Sequence, residues 1–226
     1  IYADNAATTK TSQAAIKAMN ECMEDFYGNP SSLHSVGQRA AEKLLQARMD
    51  VAECLGADFK EIYFTSGGTE SNNMAIIGTA MANKRKGNKI ITTSVEHSSV
   101  LATMKYLEEQ GFEVIYLPVD RYGVVQMEAL EKEMTEDTIL VSTMYVNNEV
   151  GAIEPVGEIG QYIKKVNPSV VYHVDAIQAF GKLEIKPRRD NIDLLTVSGH
   201  KIHGPKGSGF IYIKKNTKIN PIIFGG

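Results

Sequence analysis

The sequence contains no tryptophan and only two cysteines, and it lacks any long apolar run. A transmembrane helix needs about 20 consecutive, mostly apolar residues, so we do not expect a membrane protein. Cys22 and Cys54 lie too far apart for a metal-binding knuckle. Both fall in helical patterns, which predict buried or half-buried apolar side chains rather than reactive thiols. So few cysteines fit a reducing, cytoplasmic location.

Excess positive charge is also absent. The formal net charge is −3, from 24 Lys and Arg against 27 Asp and Glu, and the basic residues are scattered. No basic stripe is present, which argues against a nucleic-acid-binding surface. Residues 1–9 carry no positive segment followed by an apolar core, so we do not expect them to act as a signal peptide. The chain starts without Met and stops just after a strand-like run, and we interpret it as a fragment.

Helical and strand patterns alternate along the 226 residues, and 43% of the residues are hydrophobic. This content is ordinary for a globular domain with a real core. The helical patterns cover 11–26, 36–55, 70–83, 98–110, 127–134 and 156–166. The strand patterns cover 61–65, 89–93, 113–117, 138–145, 170–175, 193–198 and 209–214.

The alternation predicts an α/β fold with a mostly parallel sheet and helices on both of its faces. Short runs such as IYFT (62–65) and ILVSTM (139–144) are apolar at successive positions. They are therefore expected to be buried on both sides, as strands of such a sheet must be. No helix separates the last two strands, so these two are expected to be antiparallel.

Polar residues follow several of the predicted strands. Ligands of open α/β sheets bind at the carboxyl ends of the strands, so these residues are candidates for a site. The candidates are the turn Ser66-Gly-Gly-Thr69, then Glu96-His97, Asn147-Asn148-Glu149, Asp175 with Gln178, and Gly199-His200-Lys201. Each has an ordinary structural explanation as a turn or a helix cap. The glycine turn before a helix could cradle a phosphate, but alone it is a weak signal.

The coincidence of these groups at one sheet edge is more informative than any single one. A lysine in a dry pocket near other cations loses its proton and becomes a nucleophile toward carbonyls. An aspartate facing a pyridine nitrogen keeps that nitrogen protonated. Together with a phosphate turn, this is the set that pyridoxal 5′-phosphate (PLP) requires. A nucleotide-binding domain that uses the SGGT turn is an alternative, but it leaves Asp175 and Lys201 unexplained.

Seven stretches carry a family resemblance, in the same order and across essentially the whole chain. They are YADNAATT (2–9), GNPSSLH (28–34), FTSGGTESNN (64–73), VEH (95–97), VNNEVG (146–151), HVDAIQAFGK (173–182) and SGHKIHGPKG (198–207). The chain resembles the PLP-dependent cysteine desulfurases of the class V aminotransferase group. The resemblance implies the large domain of a type I PLP-dependent transferase, here 1–226.

The resemblance also implies roles for individual residues. Lys201 would attach PLP covalently, and Asp175 would pair with the pyridinium nitrogen. Gln178 would hydrogen-bond the phenolic oxygen, and His97 would stack on the ring and assist proton transfers. Lys201 and His97 are thus the implied catalytic residues.

The phosphate and the substrate have their own implied contacts. Gly68 and Thr69, with Ser198 and His200, would hold the phosphate. Asn148 would lie beside the ring and the substrate carboxylate. No metal site is expected.

The implied reaction converts L-cysteine to L-alanine and leaves the sulfur on an enzyme thiolate as a persulfide. The implied partners are a second copy of the chain, in a homodimer, and a sulfur acceptor such as an iron–sulfur cluster scaffold or a tRNA-thiolation factor. The alternatives are a related class V aminotransferase or selenocysteine lyase, and a non-catalytic PLP-binding interaction module.

Three elements of the family pattern lie later than residue 226. These are the loop with the catalytic cysteine, the arginine for the substrate carboxylate, and a segment that reaches the dimer partner's phosphate. The small C-terminal domain is therefore expected to be missing, and residues 1–10 are expected to pack loosely. Neither Cys22 nor Cys54 lies in the nucleophile motif, so no catalytic cysteine is assigned.

Overall fold

The computed structural model describes residues 1–225, which form one seven-stranded sheet flanked by helices. The strands are β1 (Ile62–Thr65), β2 (Lys89–Thr93), β3 (Glu113–Leu117), β4 (Thr138–Met144), β5 (Val171–Asp175), β6 (Leu194–Ser198) and β7 (Gly209–Ile213). Their order across the sheet is β1-β7-β6-β5-β4-β2-β3. Strands β2 to β6 pair in parallel, and β7 is antiparallel to both of its neighbours.

The predicted α/β fold is confirmed, including the antiparallel pairing of the last two strands. The expectation that IYFT is buried on both sides is wrong. Strand β1 lies at the edge of the sheet, where only β7 pairs with it. Tyr63 and Phe64 are therefore 46% and 40% exposed. Strand β4 lies in the interior of the sheet, and all of its residues are buried as expected.

Helices cover both faces of the sheet. They are α1 (Gln13–Asp25), α2 (Ser35–Leu55), α3 (Gly68–Asn83), α4 (Ser98–Glu109), α5 (Met127–Glu133) and α6 (Val156–Val166), with short 3₁₀ turns at Phe59–Glu61 and Gly199–Lys201. Helices α3 and α4 share one apolar core, and α2, α5 and α6 contribute to the other. Successive strand residues alternate between the two cores, as Ile90 and Ile91 do. This follows from the two-residue repeat of a strand.

The first helix begins, and the second ends, at a residue that is typical of such a position. Ser12 caps α1 by accepting a hydrogen bond from the Ala15 N–H at 3.1 Å. Helix α2 ends at Gly56, whose φ of 64° lies in the left-handed region that glycine adopts without a steric penalty. None of the described helices has the combination of length and apolar character that crossing a bilayer requires.

The two cysteines differ from the expectation in one respect. Cys22 on α1 is half-buried, as predicted, but Cys54 near the end of α2 is exposed. The helical pattern around Cys54 is amphipathic, and the core-facing positions of that turn are Ala52 and Leu55. Cys54 therefore lies on the solvent side of the helix.

Candidate active site

One cavity of about 480 Å³ opens where β4, β5 and β6 end, at the carboxyl edge of the sheet. The residues that the sequence assigned to the cofactor and to catalysis all line it. They are Gly68, Thr69, His97, Asn148, Asp175, Gln178, Ser198, His200 and Lys201. The cavity is large enough for a cofactor, since small-molecule sites commonly span about 300–1,000 Å³. Cys22 and Cys54 are not among its lining residues.

The glycine turn forms the first turn of helix α3. The helix begins at Gly68, two residues before the predicted start at Glu70. The N–H groups of a first helical turn have no partner within the helix, and the helix dipole is positive there. A Cβ at Gly68 would lie 2.1 Å from Ile177 Cδ1 and 3.6 Å from Ser198 Cβ. The backbone therefore approaches Ile177 closely, and Ser198 lies at ordinary contact distance beside a helix N-terminus, a position that favours anions.

Gly68→Ala should weaken PLP binding by about tenfold, because the added methyl group displaces either Ile177 or the first turn of α3. Equilibrium titration with PLP measures this affinity. Gly157→Ala on α6 is the matched control, since its Cβ would meet only Asp190 Oδ1 at 3.6 Å. Equal affinities for the two variants would contradict the assignment of this turn to the phosphate.

Asp175 ends strand β5 and is 4% exposed. Its Oδ1 accepts a hydrogen bond from the Ile177 N–H at 3.0 Å, and its Oδ2 accepts one from Asn72 Nδ2 at 2.8 Å. Burial raises the pKa of this carboxyl, while both donors and the charges of His97 and Lys201 act in the opposite direction. A cationic ring nitrogen beside Asp175 would further favour the ionised carboxylate.

Lys201 lies in the 3₁₀ turn directly after β6. Its Nζ donates hydrogen bonds to two backbone carbonyls, Ala6 O and Ala7 O, the latter at 2.8 Å. Burial lowers the pKa of the amine, and the nearby charge of Lys182 lowers it further, against the opposing effects of Asp4 and Asp175. Both lowering effects act toward the uncharged amine that a nucleophile or a base requires.

The N-terminal segment closes one side of the cavity. Residues 1–7 are exposed, yet the segment is tied to the site by hydrogen bonds. Gln178 Nε2 donates to Ala6 O at 2.8 Å, and the Thr9 N–H donates to His200 O at 2.9 Å. Lys182 Nζ donates to Gln178 Oε1 at 3.0 Å, which fixes the orientation of the Gln178 amide. Sequence reasoning missed these backbone contacts, although the motif YADNAATT marked the segment.

His97 is the N-cap of helix α4. Its Nδ1 accepts a hydrogen bond from the Ser99 N–H at 3.1 Å, and Ser99 Oγ lies 2.9 Å from the same nitrogen. Asn148 also lines the cavity and donates to Glu149 Oε1 at 2.7 Å. Its neighbour Asn147 is buried, accepts from the Glu149 and Val150 N–H groups of its own turn and donates to Val95 O, so it has a structural role.

Glu96, directly before His97, is 5% exposed. Its Oε1 accepts hydrogen bonds from Thr93 Oγ1 at 2.6 Å and from the Met144 N–H at 2.8 Å, while its Oε2 has no partner among the described residues. Glu96 therefore joins the ends of β2 and β4 at the point where His97 enters the cavity. Burial raises the pKa of its carboxyl from 4.5 to about 8.

Glu96→Gln should remove a pH-dependent loss of stability. Between about pH 4.5 and 8 the unfolded chain releases the Glu96 proton and the folded chain keeps it. The free energy of unfolding then falls as the pH rises, by at most about 1.4 kcal/mol per pH unit. Glutamine does not titrate, so the free energy of unfolding of the variant, relative to that of the wild type, should increase from pH 6.5 to pH 8. Urea unfolding at these two pH values measures the difference.

His173 sets the lower limit of the pH window for this test. Burial lowers the pKa of His173 to about 3, so its destabilising effect grows as the pH falls below about 6.5 and is absent above it. Glu131→Gln, at an exposed position on α5, is the control and should follow the wild type. Parallel pH profiles for Glu96→Gln and the wild type would show that Glu96 is ionised in the folded protein.

The chemistry of this donor set matches PLP. The cofactor carries a phosphate, a pyridine nitrogen, a phenolic oxygen and an aldehyde. The cavity offers a helix N-terminus with a serine, a buried carboxylate, an amide and a lysine amine, respectively. Among the described residues there is no cluster of His, Cys, Asp or Glu suited to a metal ion.

A mostly parallel sheet with a buried aspartate and a lysine at its carboxyl edge, beside a helix N-terminus, is the arrangement expected of the large domain of a type I PLP-dependent enzyme. Over residues 1–226 the sequence matches the family model of the class-V aminotransferases. The chain therefore belongs to the class-V aminotransferase family, whose members are PLP-dependent.

Curated relatives and solved structures agree with this family. The chain is 49% identical to cysteine desulfurase IscS of Methanosarcina thermophila and 46% identical to putative cysteine desulfurase IscS 1 of Bacillus subtilis, over its whole length. It covers 55% and 59% of those proteins. Among solved structures, a NifS-like protein has a TM-score of 0.97 at 45% identity, with all of this chain and 62% of that chain covered. The chain thus spans little more than half the length of the curated relatives it matches.

Proposed function

We propose that the chain is the PLP-binding part of a cysteine desulfurase. In the proposed reaction the C–S bond of L-cysteine breaks, and the sulfur forms an S–S bond with a thiolate of the enzyme. Cβ takes up a proton in its place, so L-cysteine and a thiol become L-alanine and a persulfide. The convergence of Lys201, Asp175 and His97 on one cavity carries this proposal.

The comparisons support cysteine as the substrate. The curated relatives quoted above bear the name cysteine desulfurase. One solved structure, described as SspA in complex with cysteine, has a TM-score of 0.95 and 38% identity to this chain. The match covers all of this chain and 65% of that one.

When bound, PLP would supply an aldehyde for attachment and a ring that accepts the electron pair left on Cα. Lys201 would hold the cofactor and then act as the base that removes the Cα proton, a role toward which the lowered pKa of its amine acts. Asp175 would bind the protonated ring nitrogen, and His97 would pack on the ring and assist proton transfer. Gln178 would donate to the phenolic oxygen.

The remaining contacts position the cofactor and the substrate. The N–H groups of Gly68 and Thr69, with Ser198 and His200, would bind the phosphate. Asn148, at the edge of the cavity, would lie near the substrate carboxylate.

The same proposal includes an oligomeric state, a location and a sulfur acceptor. We expect a homodimer in the cytoplasm that passes sulfur to an iron–sulfur cluster scaffold or to a tRNA-thiolation factor. Size-exclusion chromatography with light scattering measures the oligomeric state. A sulfur-transfer assay with an acceptor protein measures the second step.

Exchange of the Cα hydrogen with solvent deuterium tests the proposal directly. This step requires only PLP, the base and the ring partner, all of which the described residues provide. With PLP added, L-cysteine and L-alanine should lose their Cα–H signals in D₂O. Because neither Cys22 nor Cys54 lines the cavity, release of L-alanine from L-cysteine is measured with a thiol added as the sulfur acceptor, and it reports the transfer of sulfur.

The alternatives give different results in the same assay. A related aminotransferase would convert another amino acid to its keto acid, and a selenocysteine lyase would act on selenocysteine but not on cysteine. A non-catalytic PLP-binding module would bind PLP and exchange no Cα hydrogen. Any of these three results would overturn the proposed function.

A further inference from the structure

Asn72 lies one turn beyond the glycine turn on helix α3 and is fully buried, with 0% exposure. Its side chain makes three hydrogen bonds. Nδ2 donates to Asp175 Oδ2 at 2.8 Å and to Ser99 Oγ at 2.9 Å, and Oδ1 accepts from Thr196 Oγ1 at 2.6 Å. The orientation of the amide is fixed, because the flipped form would place its oxygen against the carboxylate of Asp175.

A buried chain of polar groups continues behind Thr196. The single hydroxyl proton of Thr196 goes to Asn72 Oδ1, so Thr196 Oγ1 must accept from His173 Nε2, which lies 3.2 Å away. His173 Nδ1 then accepts from Ser142 Oγ at 2.8 Å. This assignment is consistent with the lowered pKa of His173, which burial keeps neutral. Every donor and acceptor along this chain has a defined direction.

A second set of hydrogen bonds leads from Asn72 through Ser99 to His97 at the cavity. Ser99 Oγ accepts the proton of Asn72 Nδ2, which leaves its own proton to be donated to His97 Nδ1 at 2.9 Å. The Ser99 N–H donates to that nitrogen as well, at 3.1 Å. Two donors therefore converge on His97 Nδ1, and in the neutral ring the proton must lie on Nε2.

We propose that Asn72 is a positioning residue that orients the Asp175 carboxylate and, through Ser99, places the proton of neutral His97 on Nε2. One amide thus couples the partner of the pyridine nitrogen to the imidazole on the ring face. This inference rests on the proposed function for its catalytic meaning, but its structural content concerns the protein without cofactor. Helical spacing supports the role, since Asn72 is four residues from Gly68 and lies on the same face of α3.

Nuclear magnetic resonance of the ¹⁵N-histidine-labelled, PLP-free protein tests the proposal. The two ring nitrogens of His97 give distinct signals, and a His97→Asn variant identifies them among the five histidines. At a pH at which the ring is neutral, the wild type should show a proton on Nε2 and none on Nδ1. In Asn72→Ala the Ser99 hydroxyl is released, and the tautomer ratio should shift toward Nδ1–H by about tenfold, the effect of one hydrogen bond.

Two further variants separate this role from general destabilisation. Ser99→Ala should reproduce the shift at His97 while keeping the bond between Asn72 and Asp175. Ser142→Ala is the matched control at the far end of the buried chain, and it should leave the His97 signals unchanged. The proposal would be overturned if the His97 tautomer ratio in Asn72→Ala and Ser99→Ala equalled that of the wild type. It would also be overturned if Ser142→Ala shifted the ratio as much as Asn72→Ala does.

PLP affinity tests the role of the hydrogen bond from Asn72 to Asp175. Asn72→Ala should bind PLP about tenfold more weakly than Ser99→Ala, because only Asn72→Ala removes the donor to Asp175 Oδ2. Equal PLP affinities of Asn72→Ala and Ser99→Ala would contradict the proposed orientation of Asp175 by Asn72. A wild type that binds no PLP would refute the proposed function and leave the nuclear magnetic resonance test valid.

Discussion

Lys201→Ala should slow Cα hydrogen exchange of L-alanine by about 10²–10⁴-fold in the presence of PLP, the usual effect of removing a general base. Among the described residues that line the cavity, Lys201 alone carries an amine, and burial lowers the pKa of that amine. Proton spectra recorded over time in D₂O measure the loss of the Cα–H signal directly. L-alanine avoids any dependence on a sulfur-accepting thiol, because it is the product of the proposed reaction.

Lys182→Ala provides the contrast. It removes a neighbouring cation and the donor to Gln178 Oε1 but keeps the amine at position 201. Without that cation the pKa of Lys201 should rise, so the exchange should slow at neutral pH and recover as the pH is raised. Exchange in Lys201→Ala that equals that of the wild type, with PLP bound to both, would contradict the assignment of the base.

Asp175→Asn should slow the same exchange by about 10²–10³-fold, the usual cost of losing one preorganised electrostatic contact. A neutral amide cannot hold a proton on the ring nitrogen, so the electron pair on Cα is less well delocalised. The substitution is nearly isosteric, and it also places a second amide directly beside the amide of Asn72. PLP affinity should therefore fall together with the exchange rate.

Asp193→Asn is the matched control for this prediction. Asp193 is also buried, at 6% exposure, but it lies directly before β6, at the opposite edge of the sheet from the cavity. It forms ion pairs with Lys164 and Lys214. The control should lower the free energy of unfolding and leave the exchange rate per folded molecule unchanged. A similar loss of exchange in both variants would show that Asp175 acts only on stability.

Much of the fold could be predicted because apolar runs and turn residues mark its elements strongly. Strands β2 and β3 and helix α6 have the predicted bounds. The exposure of β1 could not be predicted, because IYFT has the same composition in the interior of a sheet as at its edge. The start of α3 at Gly68 was missed, because glycine is a poor helix former whose position at an N-terminus has little cost.

The candidate site was predicted in part from the rule that ligands gather at the ends of parallel strands. That rule and the motifs brought His97, Asp175 and Lys201 together. Asn72 and Thr196 were missed, since a polar residue inside a helix or strand carries no sign that it faces the core. The carbonyls of Ala6 and Ala7 have no sequence signature at all, and only the folded chain places them against Lys201.

The central claim is that the amine of Lys201 can exchange its bonds to the Ala6 and Ala7 carbonyls for a bond to an aldehyde inside this cavity. Borohydride reduction of the protein after incubation with PLP, followed by peptide mapping, tests it most directly. The account predicts a yellow protein before reduction and one PLP group fixed on the peptide that contains Lys201. A colourless protein, or label spread over exposed lysines such as Lys182 and absent from Lys201, would contradict it.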